Sequence, residues 1–190
     1  MSRTAFLRLE WLLSGALVVL SIAWAALRGL PLATRLVPSA GLVAAGVLAG
    51  AALWGTIPLL LRSASMRQVW TDVLLPFSRS LDTRDVVAIA LLSGLTEELF
   101  FRGVLLPEIG LVASSLCFGA LHALCRVYFA WATLVGAAFG ALALTSGSLI
   151  PAIAAHATYN FGALLILRRT HVAAVPAVVD ATIASPHGIG

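Results

Sequence analysis

Between Val86 and Leu106 the chain stays apolar for long enough to cross a bilayer, yet Glu97, Glu98 and Arg102 sit inside that run. About twenty apolar residues is a spanning length. A charge at bilayer depth costs about 2.5–3.5 kcal/mol on insertion scales, and ionisable residues retained there are functional by default. Helical geometry divides the three. Glu98 and Arg102 are four apart and share a face, so they pair. Glu97 points about 100° away round the helix. With Glu98 neutralised by Arg102, Glu97 is left free to act as a general base. A purely structural pattern, a Glu–Arg staple with a spare glutamate facing a wet cleft, would use the same residues.

The rest of the chain agrees with a membrane setting. Of the 190 residues, 61% are hydrophobic and 11% charged, whereas soluble domains carry about 25% charge. The sequence therefore predicts an all-α fold, a polytopic membrane helix bundle of about six transmembrane helices with a short interfacial helix. Residues 1–170 form a single transmembrane domain whose motif-bearing core covers about 86–168, and 171–190 form a mobile tail without helical period. The predicted spans are Trp11–Leu27, Ala40–Leu61, Val86–Leu106, Leu111–Cys125, Tyr128–Leu144 and a sixth from Leu149 to Arg168. The first two contain nothing ionisable and read as anchoring and packing. Gly41, Gly46, Gly50 and Gly55 in the second mark a close helix approach. Between them and the third, Met66, Val69, Trp70, Val73 and Leu74 make one apolar stripe, the mark of a helix lying in the interface and ended by Pro76. Asp82 and Asp85 form a variant of the capping box.

All twelve cations are arginine, which points to a GC-rich, bacterial genome. They flank the apolar runs and do not cluster as a nucleic-acid footprint would, so no nucleic acid is expected as a partner. With six spans, Arg3, Arg8, Arg62, Arg67, Arg79, Arg84, Arg126, Arg168 and Arg169 fall on the side of the termini, against Arg28 and Arg35 on the other. By the positive-inside rule both termini are cytoplasmic, in a multi-pass protein of the cell inner membrane or plasma membrane. Cys117 and Cys125 lie about 12 Å apart along one predicted helix, too far for a disulfide, and read as apolar filler.

Two further spans carry histidine. His122 closes Phe118-Gly119-Ala120-Leu121-His122, and His156 and Asn160 share a face four residues apart. At about 1.5 Å per residue, Glu97 lies ~15 Å from the far end of its span, His122 ~17–20 Å and His156 ~10 Å. One polar cavity near mid-membrane can therefore hold them all. The chemistry such a set supports is hydrolysis. Glu97 and His122 hold and deprotonate a water, while His156 and Asn160 donate to the oxyanion of a tetrahedral intermediate. The chain has no H-E-x-x-H and no G-x-S-x-G, and no aspartate inside a predicted span, so zincin, serine and aspartyl chemistries do not apply.

Glu-Glu-x-x-x-Arg at Glu97, Glu98 and Arg102, Phe-x-x-x-His at Phe118 and His122, and His-x-x-x-Asn at His156 and Asn160 come in order, one motif to a span. In this the chain resembles the CPBP family, the group of CAAX proteases and bacteriocin-processing enzymes also called Abi. The resemblance runs from about Leu92 to Leu165. It implies a glutamic-type intramembrane endopeptidase acting on a membrane-embedded or membrane-anchored protein or peptide. It also implies that Glu97 and His122 activate water, that His156 and Asn160 form the oxyanion hole, and that Glu98, Arg102 and Phe118 support the site. No cofactor is implied. A metal held by Glu97, His122 and His156 is the minority alternative. The myxosortases, which remove C-terminal membrane anchors from surface proteins, are a candidate subgroup. Two other readings use the same residues. One is a non-catalytic immunity or scaffold protein that keeps the motif as a polar staple. The other is an ion pathway, disfavoured because the chain lacks an internal repeat.

Overall fold

The computed structural model describes residues 2–78 and 81–183, with side chains through Arg169. Ser2 and Ser39 cap the first two long helices by accepting from Ala5 N and Leu42 N, which satisfies amides that a helix start leaves bare. These helices are α1 (Arg3–Arg28) and α2 (Ala40–Trp54). Gly29, at φ 66°, ends α1 in the left-handed conformation that glycine adopts without a Cβ penalty. Three short helices follow, α3 (Ile57–Leu60), α4 (Ala64–Val69) and, after a π turn over Trp70–Leu74, α5 (Leu75–Ser78). α3 falls in the predicted second span, whereas α4, the π turn and α5 occupy the predicted interfacial segment, burying Met66 and Val69. Pro76 does not stop it. The chain stays helical past it, from the π turn through Ser78.

The motif-bearing core is α6 (Thr83–Glu98), a π-helical segment (Leu99–Leu105), α7 (Leu106–Leu121), α8 (Arg126–Ser146) and α9 (Ile150–Ile183). The capping box forms as expected. Asp82 Oδ1 accepts from Asp85 N and Asp85 Oδ2 accepts from Asp82 N, each at 2.9 Å. Arg3 joins it from α1 at 2.7–2.9 Å.

The fold class is all-α, and five stretches are long and apolar enough to cross a membrane. The count differs from six because the predicted third and fourth spans are one 39-residue stretch, Thr83–Leu121. It is folded back on itself at Gly110, whose φ of 79° and ψ of 172° lie in a region that essentially only glycine occupies. Phe101 and Phe118 then stack edge to face at 5.0 Å, and Glu97 meets His122. The returning arm after Gly110 covers only ~16 Å, about half a bilayer. It stops at mid-depth and leaves His122 at its end.

Neighbouring helices set the register. Arg3 against Asp85, Ser14 against Thr96 and Arg28 against Glu108 run α1 parallel to α6 and the π segment. A Cβ at Gly46 or Gly50 would strike the α9 backbone at Pro151 or Ala155, and one at Gly94 would strike Ala157. These glycines are where helices touch backbone to backbone, as small residues allow in lipid, whereas Gly41 and Gly55 of the predicted series meet no neighbouring helix. Arg3, Thr83 and Arg168 gather at one end of the bundle, and Arg28, Arg35, Glu108 and Ser148 at the other. Because α1 begins at Arg3, Glu10 lies within the first span. This corrects the expectation that the first two spans hold nothing ionisable. α9 continues helical to Ile183, so the first part of the predicted tail is helical. Extending an existing helix costs little, and Pro176 removes only one of its backbone bonds. Residues 184–190 lie outside the described residues.

A candidate intramembrane active site

Glu98 and Arg102 anchor the site. Both are buried, and Arg102 Nη1 donates to Glu98 Oε1 at 2.8 Å. Arg102 Nη2 donates to the Gly136 carbonyl at 2.8 Å. A Cβ at Gly136 would stand 3.2 Å from that same nitrogen, so even an alanine there would press on the guanidinium. The guanidinium carbon lies 4.5 Å from the centre of the Phe118 ring, with Phe101 and Phe139 also near. This is a cation placed on aromatic faces where water is excluded.

The π segment explains one remote contact. Leu106 N donates to Phe101 O, so the next partner in that register, for Arg102 O, is residue 107. Residue 107 is proline and has no N–H to give. Arg35, from the turn between α1 and α2, supplies the missing donor at 3.1 Å. Burial lowers the Arg35 pKa from the ordinary arginine value. A π turn of this kind often marks a functional site, and here it begins directly after the two glutamates.

His156 takes the remaining place on Glu98. Its Nδ1 lies 2.8 Å from Glu98 Oε1, so Nδ1 carries the proton and Nε2 faces the other way. Phe139 stacks on its ring at 5.3 Å. His122 is oriented by a different device. It caps the C-terminus of α7, where the last-turn carbonyls lack helical partners. Its Nδ1 donates to one of them, Phe118 O, at 2.8 Å, and its ring stacks on Phe118 at 4.4 Å. Both histidines therefore turn Nε2 toward Glu97. Glu97 Oε2 lies 3.6 Å from His122 Nε2 and 4.0 Å from His156 Nε2. These separations exceed a direct hydrogen bond and suit a bridged one. Glu97 Oε2 is buried and has no hydrogen-bond partner among the described residues.

Asn160 is one turn beyond His156, as its spacing predicted. Its Nδ2 donates to Ser93 Oγ at 2.9 Å, and Ser93 donates in turn to Ile89 O. His122, His156 and Asn160 line a cavity of about 130 Å³ walled by Tyr128, Trp131 and Tyr159. On the other side of His122, a cavity of about 340 Å³ is lined by Glu97, Thr96 and, from α1, Glu10. Glu98, Arg102 and Phe118 stand behind Glu97, His122 and His156, while Asn160 shares the smaller cavity with both histidines but not with Glu97, so the expected single cavity is two that adjoin at His122. Ser93, Phe139, Gly136 and Glu10 were not foreseen. Ser93, four residues before Glu97 in an apolar helix, carried a readable polar signal. Phe139 and Gly136 carried none.

Among the described residues no three His, Cys, Asp or Glu side chains are grouped to hold a metal ion. Glu97, His122 and His156, the residues of the metal alternative, face one another at 3.6 Å and 4.0 Å.

An all-α membrane bundle with a buried Glu–Arg–His cluster and a second glutamate facing two histidines defines a class, a polytopic protein with a polar centre inside the bilayer. Residues 80–162 match the family model of the Rce1-like, type II CAAX prenyl endopeptidases, which supports the resemblance to the CPBP, or CAAX protease, family. The match takes in α6, α7, α8 and the first turns of α9. The match supports a membrane protease activity in general terms. Searches of curated proteins and of solved structures returned no match.

Proposed function

We propose that the protein is a glutamic-type intramembrane endopeptidase. Glu97 takes a proton from a water held between its carboxylate and His122 Nε2, and that water attacks the carbonyl of a peptide bond in a membrane-embedded or membrane-anchored substrate. The negative charge that develops on the carbonyl oxygen is met by Asn160 and His156. Asn160 has a second N–H beyond the one engaged by Ser93. His156 donates from Nε2 when that nitrogen is also protonated, and Glu98 and Arg102 hold the ring so that Nε2 faces the cavity. The proton taken by Glu97 passes to the leaving amine, so the step needs no redox partner and no metal.

The observation that supports this reading best is the placement of Glu97 Oε2. It lies 3.6 Å and 4.0 Å from two imidazole nitrogens whose other nitrogens are both engaged elsewhere. The end of the bundle bearing Arg3 and Arg168 faces the cytoplasm. The test is Glu97→Gln in purified protein reconstituted in liposomes. Cleavage of a mapped substrate falls by several orders of magnitude while the protein stays folded. Cleavage at the parent rate by this variant removes Glu97 from the chemistry. Rescue of a deletion phenotype by both Glu97→Gln and His122→Ala would favour the non-catalytic scaffold instead.

A further inference from the structure

Glu10 lies on α1, outside every motif and outside the segment that matches the family. It nevertheless lines the 340 Å³ cavity together with Glu97 and His122. No arginine lines that cavity, and Glu10 has no hydrogen bond or ion pair among the described residues. Its other walls include Leu13, Leu17 and Leu121. A carboxylate left without a partner at bilayer depth, with a second carboxylate on the same cavity, is costly, and a cation entering the chamber offsets that cost.

The register of α1 gives the distance. Arg3 lies level with Asp85 and Ser14 level with Thr96, so Glu10 lies level with Leu92, five residues from Glu97. At about 1.5 Å per residue that is 7–8 Å toward the end of the bundle bearing Arg3 and Arg168. An extended peptide covers the same distance in about two residues.

We propose that Glu10 is a specificity-determining residue that receives a basic side chain of the substrate about two residues from the scissile bond. The inference rests on the endopeptidase reading above, and it adds a substrate class: a membrane-associated chain with an arginine or lysine close to the cut. The pairing acts through charge, so it discriminates against an acidic residue at the same place as well as favouring a basic one.

The experiment uses the full-length protein in liposomes and a set of single-span Leu/Ala peptides. Each peptide carries one Arg, Gln or Glu, scanned along its length. For the parent, kcat/KM for the Arg peptide exceeds that for the Glu peptide at least tenfold at one position about two residues from the cut. In Glu10→Gln that ratio collapses toward one, in Glu10→Arg it inverts, and in Glu10→Asp it is retained. A parent ratio near one, or a ratio unchanged in Glu10→Gln, overturns the proposal. A binding arm separates this from the reading it rests on. The same peptides, fluorescently labelled, are titrated against Glu97→Gln protein with and without Glu10→Gln. Tighter binding of Arg than of Glu peptides that depends on Glu10 upholds the role of Glu10 even where the parent cleaves no peptide, an outcome that would sink the protease reading alone. Binding indifferent to Glu10 overturns the inference whatever the cleavage result.

Discussion

Replacing Arg102 by alanine separates the residues that hold the site from the residue that does the chemistry. The substitution removes two hydrogen bonds at 2.8 Å, to Glu98 and to the Gly136 carbonyl, and a guanidinium resting on the Phe118 ring. It leaves Glu98 fully buried, with His156 as its remaining partner. Breaking one member of a buried pair costs about 3–5 kcal/mol, most of it the penalty of the charge left behind. A hydrogen bond from a charged donor is worth about 1.5–3 kcal/mol, so loss of the Gly136 contact is the smaller part. Glu98→Gln strips the charge from the other side and is expected to destabilise as well, because Arg102 is then the stranded ion. Glu97→Gln is different in kind. Glu97 Oε2 has no hydrogen-bond partner among the described residues, so neutralising it removes a desolvation cost and leaves stability within about 1 kcal/mol of the parent. The assay is thermal unfolding in detergent, followed by the loss of monodisperse protein and set beside cleavage of one substrate by the same samples. Arg102→Ala and Glu98→Gln lose both folded protein and activity, whereas Glu97→Gln loses activity alone. If Arg102→Ala melted with the parent, or if Glu97→Gln were as destabilised as Arg102→Ala, the division of labour between the two glutamates would be wrong.

Other consequences are open to direct measurement. His122→Ala is expected to lower kcat by about 10²–10⁴, the range for a positioned acid–base group; retention of more than a tenth of parent activity would count against it. Asn160→Ala removes an oxyanion donor and is expected to lower kcat by about 10²–10³ with little change in KM. Ser93→Ala, which only frees the Asn160 amide, should cost less, and the reverse order would exchange their roles. Gly110→Ala places a Cβ at φ 79°, ψ 172° and is expected to destabilise by about 1–3 kcal/mol, read as a lowered Tm, although nothing packs within reach of that Cβ. A chelator such as EDTA should leave cleavage unchanged; loss of activity that added zinc restores would favour the metal alternative.

Much of this protein could be read along the chain, because lipid imposes simple rules. A backbone in hydrocarbon must satisfy its own hydrogen bonds, so apolar runs of spanning length are helices. An ion pair four residues apart on such a helix has one geometry to adopt, and Glu98 with Arg102 adopts it. The same periodicity put His156 and Asn160 on one face and set Glu97 apart from Glu98. What periodicity does not carry is the path between helices. Whether Val86–Leu106 and Leu111–Cys125 are two spans or one stretch folded back depends on the backbone at Gly110, and a glycine in sequence does not announce its φ. That fold brings His122 to mid-depth beside Glu97. The partners that orient the site come from chain segments far from the motifs: Gly136 O for Arg102, Phe139 for His156, and Arg35 for a carbonyl that Pro107 leaves bare. Glu10 is the clearest case. In sequence it looks like the last polar residue before a span. Only the parallel packing of α1 against α6, set by Arg3 on Asp85 and Ser14 on Thr96, carries it into the chamber of Glu97. Local pattern determines which face of a helix is polar, and the contacts between helices decide what that face meets.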